Sequence, residues 1–318
     1  MAGPRLSVAL CTYNGGAYLL EQLTSIAEQE VAVDEIVVAD DGSTDFTLDL
    51  LDRARESIPA LRILPPTDHL GVTRNFERAI SATTGDIIFL ADQDDRWHAD
   101  RTAVAVAALK ADPQALLIHS DAAIVDAQGR ATGDSLLDRL RVDAASRREL
   151  TAGHAFDLLM RRNLVTGATV AFRRRLLEIA LPFPDAWLHD EWLAVIAAST
   201  GGTRLLQAKP VDYRMHGANE VGAARLTWGA RWSRLTAPRA ERNARLLARA
   251  RQLEARLPAG RPNELASEKV RHEEVRSSYP VARVARVPAV LREFRTGRYA
   301  RYGRALDDAL RDLVQPAR

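Results

Sequence analysis

From Leu6 to Ile118 the chain alternates short apolar runs with longer amphipathic ones. Leu6–Thr12 is apolar and short, and apolar positions then recur at helical spacing through Tyr18, Leu19, Leu23 and Ile26. The segment 35–39 repeats the strand pattern and runs into Asp40-Asp41-Gly42-Ser43-Thr44-Asp45, a turn with a Ser/Thr helix cap. A helix through Leu48, Leu51 and Ala54 follows. Leu61–Leu64, Asp86–Ala91 and Ala115–Ile118 read as further strands, with Val72–Ala82 and Arg101–Lys110 as helices between them. Strand alternating with helix predicts an α/β fold with a mostly parallel central sheet and helices on both faces. Right-handed crossovers then place the loops after Thr12, Ala39 and Ala91 on the carboxyl edge, where open α/β sheets hold their ligands. Tyr13, Asp41 and the acids from Asp92 to Asp95 are therefore expected to converge.

The later text is less regular. Residues 126–160 are polar and rich in turn formers, with Gly129, Gly133 and a charged stretch from Asp138 to Glu149, and read as a surface insertion or acceptor-side lid. Apolar patterning returns over Leu164–Phe172, with helices expected at Leu176–Ala180 and Asp190–Ser199 and short strands at Thr203–Gln207 and Val211–Arg214. Beyond about Arg225 the pattern is helical and basic, broken by Pro258-Ala259-Gly260-Arg261-Pro262. The expected division is a catalytic domain at 1–224 and a helical C-terminal extension at 225–318.

Composition adds further constraints. The chain has 318 residues, 47% hydrophobic and 27% charged, enough for one large α/β domain with an appendage. Its single cysteine, Cys11, excludes an internal disulfide framework and fits a reducing compartment. The opening residues show no signal-peptide pattern and no run approaches the roughly 18 apolar residues of a membrane span, so a cytoplasmic location is expected. Net charge is +2, yet residues 225–318 carry 22 Lys/Arg against 10 Asp/Glu. That arginine-rich part lacks any nucleic-acid motif, so its expected partner is an anionic membrane or anionic acceptor, against the ordinary alternative of solvated helix faces.

The run Asp92-Gln93-Asp94-Asp95 places three carboxylates in four positions where a buried strand stops. Such charges repel unless a cation or hydrogen-bond donors compensate them, which points to a divalent-metal and hydroxyl site rather than a plain acidic loop. Tyr13 and Asn14 suit stacking on a base and bonding its edge, and Asp41 suits a ribose hydroxyl or an imide N–H. No glycine-rich phosphate loop follows any expected strand, which argues against dinucleotide-binding enzymes and against a nucleotidyltransferase. A diphosphate here would be neutralised by a metal at Asp92 or Asp94, with Arg74 as a further cation.

The chain resembles family-two glycosyltransferases of GT-A fold, and within them the bacterial rhamnosyltransferase group. The likeness is carried by 8–15 (VALCTYNG), 39–45 (ADDGSTD), 71–76 (GVTRNF), 90–97 (LADQDDRW), 165–168 (VTGA), 189–192 (HDEW) and 213–217 (YRMHG), in that order. The resemblance implies that Asp92-Gln93-Asp94 is the D-x-D signature, with Asp92 and Asp94 on a Mg²⁺ or Mn²⁺ ion and His216 reaching the same metal. It implies donor contacts from Thr12, Tyr13, Asn14, Asp41, Arg74, Asn75, Asp92 and Gln93. Asp190 corresponds to the catalytic base, although relatives commonly have Glu-Asp where this chain has His189-Asp190.

The expected activity is therefore inverting transfer of a sugar, rhamnose by resemblance, from a nucleoside-diphosphate donor to a hydroxyl of a cell-surface or lipid-linked glycan. An inverting base must take the acceptor proton on the face opposite the leaving diphosphate. Asp190 has a competing reading as the helix N-cap, and Glu191 is the rival base, turned about 100° away on the helix. The other class to be weighed is a nucleotide-sugar or glycan binder without turnover.

Overall fold

The computed structural model describes residues 3–216 and 238–316, which fall into two compact units. The first unit holds the described residues of 3–155 and 164–216, and the second holds 156–163 and 238–316. The expected boundary at 224/225 lies outside the described residues. Residues 156–163, read from sequence as part of the first domain, pack within the second unit.

In the first unit the expected strand–helix alternation is present. It runs β1 (Leu6–Thr12), α1 (Leu19–Ala27), β2 (Glu35–Asp40), α2 (Thr47–Ser57), β3 (Leu61–Ile63), α3 (Val72–Ala82) and β4 (Ile87–Asp92). After these come β5 (Arg96–Trp97), α4 (Arg101–Ala111), β6 (Leu117–Ser120), β7 (Ala123–Val125), β8 (Ala131–Ser135), α5 (Leu136–Arg139) and α6 (Ala144–Ala152). Helix α7 (Phe156–Arg161) belongs to the second unit, and the chain returns through β9 (Ala171–Arg173), α8 (Leu177–Ala180), α9 (His189–Ser199), β10 (Thr203–Leu206) and β11 (Val211–Arg214).

Seven strands form the main sheet in the order β10-β6-β9-β4-β1-β2-β3. All neighbouring pairs are parallel except those of β9, which runs antiparallel between β4 and β6. Every residue of β1 is buried, and in β4 only Asp92 is partly exposed, as expected for strands covered on both faces. Strand order reverses around β1: the chain steps outward to β2 and β3, then returns to β4 through α3. Right-handed crossovers in opposite directions put α3 on the face opposite α1 and α2. Register fixes the edge, because Thr12 lies beside Asp40 and Cys11 beside Asp92. The three loops expected to converge therefore leave neighbouring strands at one level.

Residues 126–160 are more ordered than a surface insertion. Strands β7 and β8 pair as a hairpin within a second sheet, ordered β5-β11-β7-β8, which brings β11 beside the segment after the acidic run.

The second unit consists of α7, α10 (Arg239–Arg256), α11 (Arg261–Ser277), α12 (Arg283–Arg295), α13 (Arg298–Tyr302) and α14 (Leu306–Val314). Its charges are not only solvated faces. Asp312, fully buried, accepts from Arg276 Nε at 2.7 Å and from the Tyr299 hydroxyl at 2.8 Å. Arg276 also pairs with the buried Glu273, and His272 Nδ1 meets Glu293 Oε1 at 2.6 Å. The apolar cluster beside them is small, with Tyr279, Val290, Tyr299 and Ala309 as its buried members. Helices with so few large apolar residues close around polar groups only because those groups are paired.

Removing one partner of a buried ion pair leaves the other uncompensated, a loss of about 3–5 kcal/mol. Asp312→Ala is expected to lower the denaturant midpoint of the second unit accordingly. A shift of under about 1 kcal/mol, within the range of an exposed pair, would show that the network does not hold these helices together.

Candidate active site

The edge is assembled from loops that hydrogen-bond one another before any ligand is considered. Asp40 accepts from the Thr12 hydroxyl at 2.6 Å, the Ser43 hydroxyl at 2.6 Å and the Ser43 N–H at 2.8 Å. Asn14 sits in the left-handed region, φ 50°, and its Oδ1 accepts from the Thr44 N–H at 2.8 Å. Gln93 makes a pair of hydrogen bonds with the Tyr13 main chain: its Oε1 accepts from Tyr13 N–H at 2.8 Å and its Nε2 donates to Tyr13 O at 3.0 Å. Asn75 is buried and donates to Ala39 O at 2.7 Å, tying α3 to the end of β2. Thr12, Asn14, Gln93 and Asn75, expected as direct donor contacts, thus have side chains engaged in holding the loops in place.

Two other expected donor residues are also engaged. Asp41 accepts from the Leu70 and Gly71 N–H groups at 2.6 and 2.9 Å, and His69 Nδ1 lies 3.0 Å from its Oδ2. Arg74 pairs with Glu77 and Asp185, so its charge is shared with two carboxylates. Tyr13 is the exception. The residue is 43% exposed and its ring faces His69 with centroids 4.9 Å apart, which leaves an aromatic surface at the strand end.

Four carboxylates meet at the end of β4. Burial, then the Asp94 charge, then the Asp190 charge push the Asp92 carboxyl above its ordinary value, with Arg101 opposing them. Burial and the charges of Asp94 and Asp92 raise Asp95 well above the carboxylate range. Asp95 Oδ1 accepts from the Arg214 N–H at 2.9 Å, while Oδ2 is buried without a hydrogen-bond partner among the described residues. Arg101 is buried beneath the group, its guanidinium 3.7 Å from the Trp97 ring centroid and pushed down to about 9 by burial.

Arg101 and Arg214 were not picked out by sequence reasoning. One signal was available, since arginine as the first residue of a helix opposes the macrodipole and needs a local reason. Arg214 donates through Nε to Asp94 O at 2.8 Å and pairs with Glu21 at 2.6 Å, which sets the next residues of the chain beside the acids.

His216 then brings Nε2 to 2.8 Å from Asp94 Oδ2, with its ring 4.9 Å from that of Tyr18. Two carboxylate oxygens and an imidazole nitrogen are donors that Mg²⁺ or Mn²⁺ accepts, and the Asp94–His216 spacing suits neighbouring ligands on one ion. The full expected set of Asp92, Asp94 and His216 is not assembled: among the described residues no three His, Cys, Asp or Glu are gathered as a metal cluster. The physical reason is that Asp92 still belongs to β4 and is oriented by strand register, whereas Asp94 has left the strand to meet His216. A pair of protein donors fits an ion that completes its shell with phosphate oxygens and water.

Asp190 comes to the same edge from α9. Leu188, not Asp190, is the N-cap, so Asp190 occupies the second helical position. Its Oδ2 accepts from the Gly167 N–H at 3.0 Å and its Oδ1 from the Glu191 N–H at 2.7 Å. Gly167 opens a short 3-10 turn whose Val170 carbonyl accepts from the Leu90 N–H of β4 at 3.1 Å. A chain of main-chain contacts therefore links the carboxylate to the strand that carries Asp92. A Cβ on Gly167 would stand 3.0 Å from His189 Nε2 and 3.6 Å from Asp190 Cβ, so glycine permits this approach.

His189 lies buried against Phe76, centroids 3.8 Å apart, and burial pushes its imidazole down to about 3. Trp187 and Trp192 are buried in contact, with Trp192 Nε1 donating to Ala180 O at 2.7 Å, so both belong to the core rather than to a sugar platform. The loop at 217–224 lies outside the described residues.

This architecture recurs in solved glycosyltransferases. The TarS 1–349 fragment of S. aureus in complex with UDP-GlcNAc superposes with a TM-score of 0.58 at 16% identity, covering 92% of this chain and 81% of that one. The mannosyltransferase PcManGT of Pyrobaculum calidifontis, in complex with GDP-Man and Mn²⁺, gives 0.55 at 23% identity over 98% and 79%. In sequence, the dTDP-rhamnosyl transferase RfbG of Shigella flexneri is 29% identical over 237 residues, 71% of this chain and 78% of that protein. Residues 7–165, which supply β1 to β4 and the acidic run, match the model of glycosyl transferase family 2. The chain belongs to glycosyl transferase family 2.

Proposed function

We propose that this glycosyltransferase binds a nucleoside-diphosphate sugar at the carboxyl edge of β1, β2 and β4 and transfers the sugar with inversion to an acceptor hydroxyl, with Asp190 as general base. The observation that carries this reading is the convergence of Asp190 with Asp92 and Asp94, acids nearly a hundred residues apart in sequence. The Tyr13 ring offers a stacking surface for the base, and the adjoining loop amides offer polar contacts to it. Asp92 accepts from sugar or ribose hydroxyls. Asp94 and His216 would hold a Mg²⁺ or Mn²⁺ ion, which when bound neutralises the diphosphate and its leaving charge. RfbG, by its name a dTDP-rhamnosyl transferase, makes rhamnose the first donor sugar to test, and a glycan or lipid-linked hydroxyl is the proposed acceptor class.

Asp190 takes the proton from the attacking hydroxyl. Gly167 and Glu191 N–H groups fix its carboxylate plane, so no rotamer search precedes proton transfer. Asp190 lies in the first turn of α9, at the positive end of the helix dipole. A site acting only to bind sugar nucleotides would have no need of an oriented base. Among the described residues no helix is long and apolar enough to cross a membrane; a cytoplasmic location is part of this proposal.

Asp190→Asn keeps size and position but removes basicity, and is expected to lower kcat by about 10³-fold with nucleotide affinity within a few-fold. Transfer assays beside nucleotide titration calorimetry measure this, and near-native turnover would remove the assignment. EDTA is expected to abolish transfer and Mn²⁺ to restore it, with Asp94→Asn requiring far more Mn²⁺ for half-restoration. Full activity in EDTA, or an unchanged Mn²⁺ requirement in the variant, would sink the proposed ion site. Gly167→Ala must shift the His189 ring or the turn itself by a few tenths of an ångström, which disturbs the Gly167 N–H bond to Asp190, so about tenfold lower kcat is expected at unchanged donor KM. Wild-type kinetics in that variant would show that the Gly167 turn does not position the base.

A further inference from the structure

The second unit exposes large apolar side chains in a pattern. On α12, Val284, Val287, Leu291 and Phe294 recur at three- and four-residue spacing, and all are exposed, Val284 at 85%. The opposite side of that helix is the packed one, carrying Arg286, Val290 and Glu293. The neighbouring α14, which packs against α12, repeats the arrangement: Leu306, Leu310 and Val314 are exposed while Ala309 and Asp312 are buried. Val281 just before α12 is 76% exposed. Isolated surface leucines need no explanation, but two adjacent helices with their apolar stripes turned to solvent do.

Charge identifies the covering surface. Arg283, Arg292 and Arg295 are exposed on α12 and flank its apolar stripe, and the helix's one carboxylate, Glu293, is buried against His272 and Arg298. Arg304 adds a further exposed cation before α14, against Asp307 as the exposed acid between 281 and 316. A second copy of the chain meeting this face about a two-fold axis would set these arginines against their own counterparts. An anionic surface would be attracted by them, while the valine, leucine and phenylalanine side chains enter the interface between headgroup and acyl chain.

We propose that the exposed faces of α12 and α14 dock the protein peripherally on an anionic lipid bilayer, apolar stripes inserted and flanking arginines on the headgroups. The inference rests on the second unit alone, so it stands or falls separately from the catalytic assignment.

The test is flotation of the full chain with phosphatidylcholine vesicles, with and without phosphatidylserine. Wild-type protein is expected to float with the phosphatidylserine vesicles, to stay behind with pure phosphatidylcholine, and to be released by salt. Each arginine near such a surface contributes about fivefold in partitioning, so Arg292→Ala with Arg295→Ala should bind about twentyfold more weakly. Val284→Asp with Leu291→Asp should abolish flotation while leaving the melting temperature and sugar transfer unchanged, since both positions are exposed. Failure of the wild-type chain to float, equal binding to neutral vesicles, or flotation of the aspartate variant at the wild-type level would each overturn the proposal. A concentration-dependent dimer that the aspartate variant disrupts, without vesicle binding, would assign the face to a second copy instead.

Discussion

The crowding of negative charge where β4 stops is the constraint around which the first unit is arranged. Asp92, Asp94, Asp95 and Asp190 lie together there, and burial with the neighbouring negative charges raises Asp92 and Asp95 above their ordinary values. Such a group is tolerated because each neighbour restores part of the balance. Arg101 places a delocalised charge beneath it, held between Phe89 and Trp97. Arg214 supplies an N–H to Asp95 and carries the chain on to His216. Even the second sheet follows from this, since pairing β11 with β5 and β7 is what delivers Arg214 to the acids.

The sequence made the sheet edge legible because its strands are short, continuously apolar and followed at once by polar turns. Leu6–Thr12, 35–40 and 87–92 each stop where the side chains become polar, and parallel register then fixes which ends are neighbours. Less was legible where pairing partners decide structure. Ala131–Ser135, with a glycine and an aspartate and mostly exposed, has no strand-like composition and is a strand only because β7 lies beside it. The antiparallel insertion of β9 likewise depends on the backbone donors offered by β4 and β6.

Within the site, residue types were readable but their partners were not. Gln93 and Asn75 suit a nucleotide contact by chemistry, yet both amides are committed to main-chain groups 80 and 36 residues away. That commitment ties the loops to one another and leaves the Tyr13 ring as an exposed aromatic surface at the edge. The C-terminal helices show the same limit from the other side. Their arginine content reads as a solvated basic extension, and only the packing reveals that Arg276 and Arg286 are interior while Arg292 and Arg295 are not.

The residue beside Asp190 shows how composition and electrostatics meet. An acid at position 189, the commoner residue in proteins this chain resembles, would add a further negative group beside Asp92, Asp94, Asp95 and Asp190. His189 adds none. Burial holds its imidazole neutral down to about 3, its ring stacks on Phe76, and neither ring nitrogen has a hydrogen-bond partner among the described residues. It therefore acts here as a flat apolar spacer between α3 and the Gly167 turn, a role that needs a ring rather than a charge. Because Gly167 has no side chain, that spacer brings the turn close enough for its N–H to reach Asp190, and the orientation of this carboxylate follows from packing rather than from a second ionic partner.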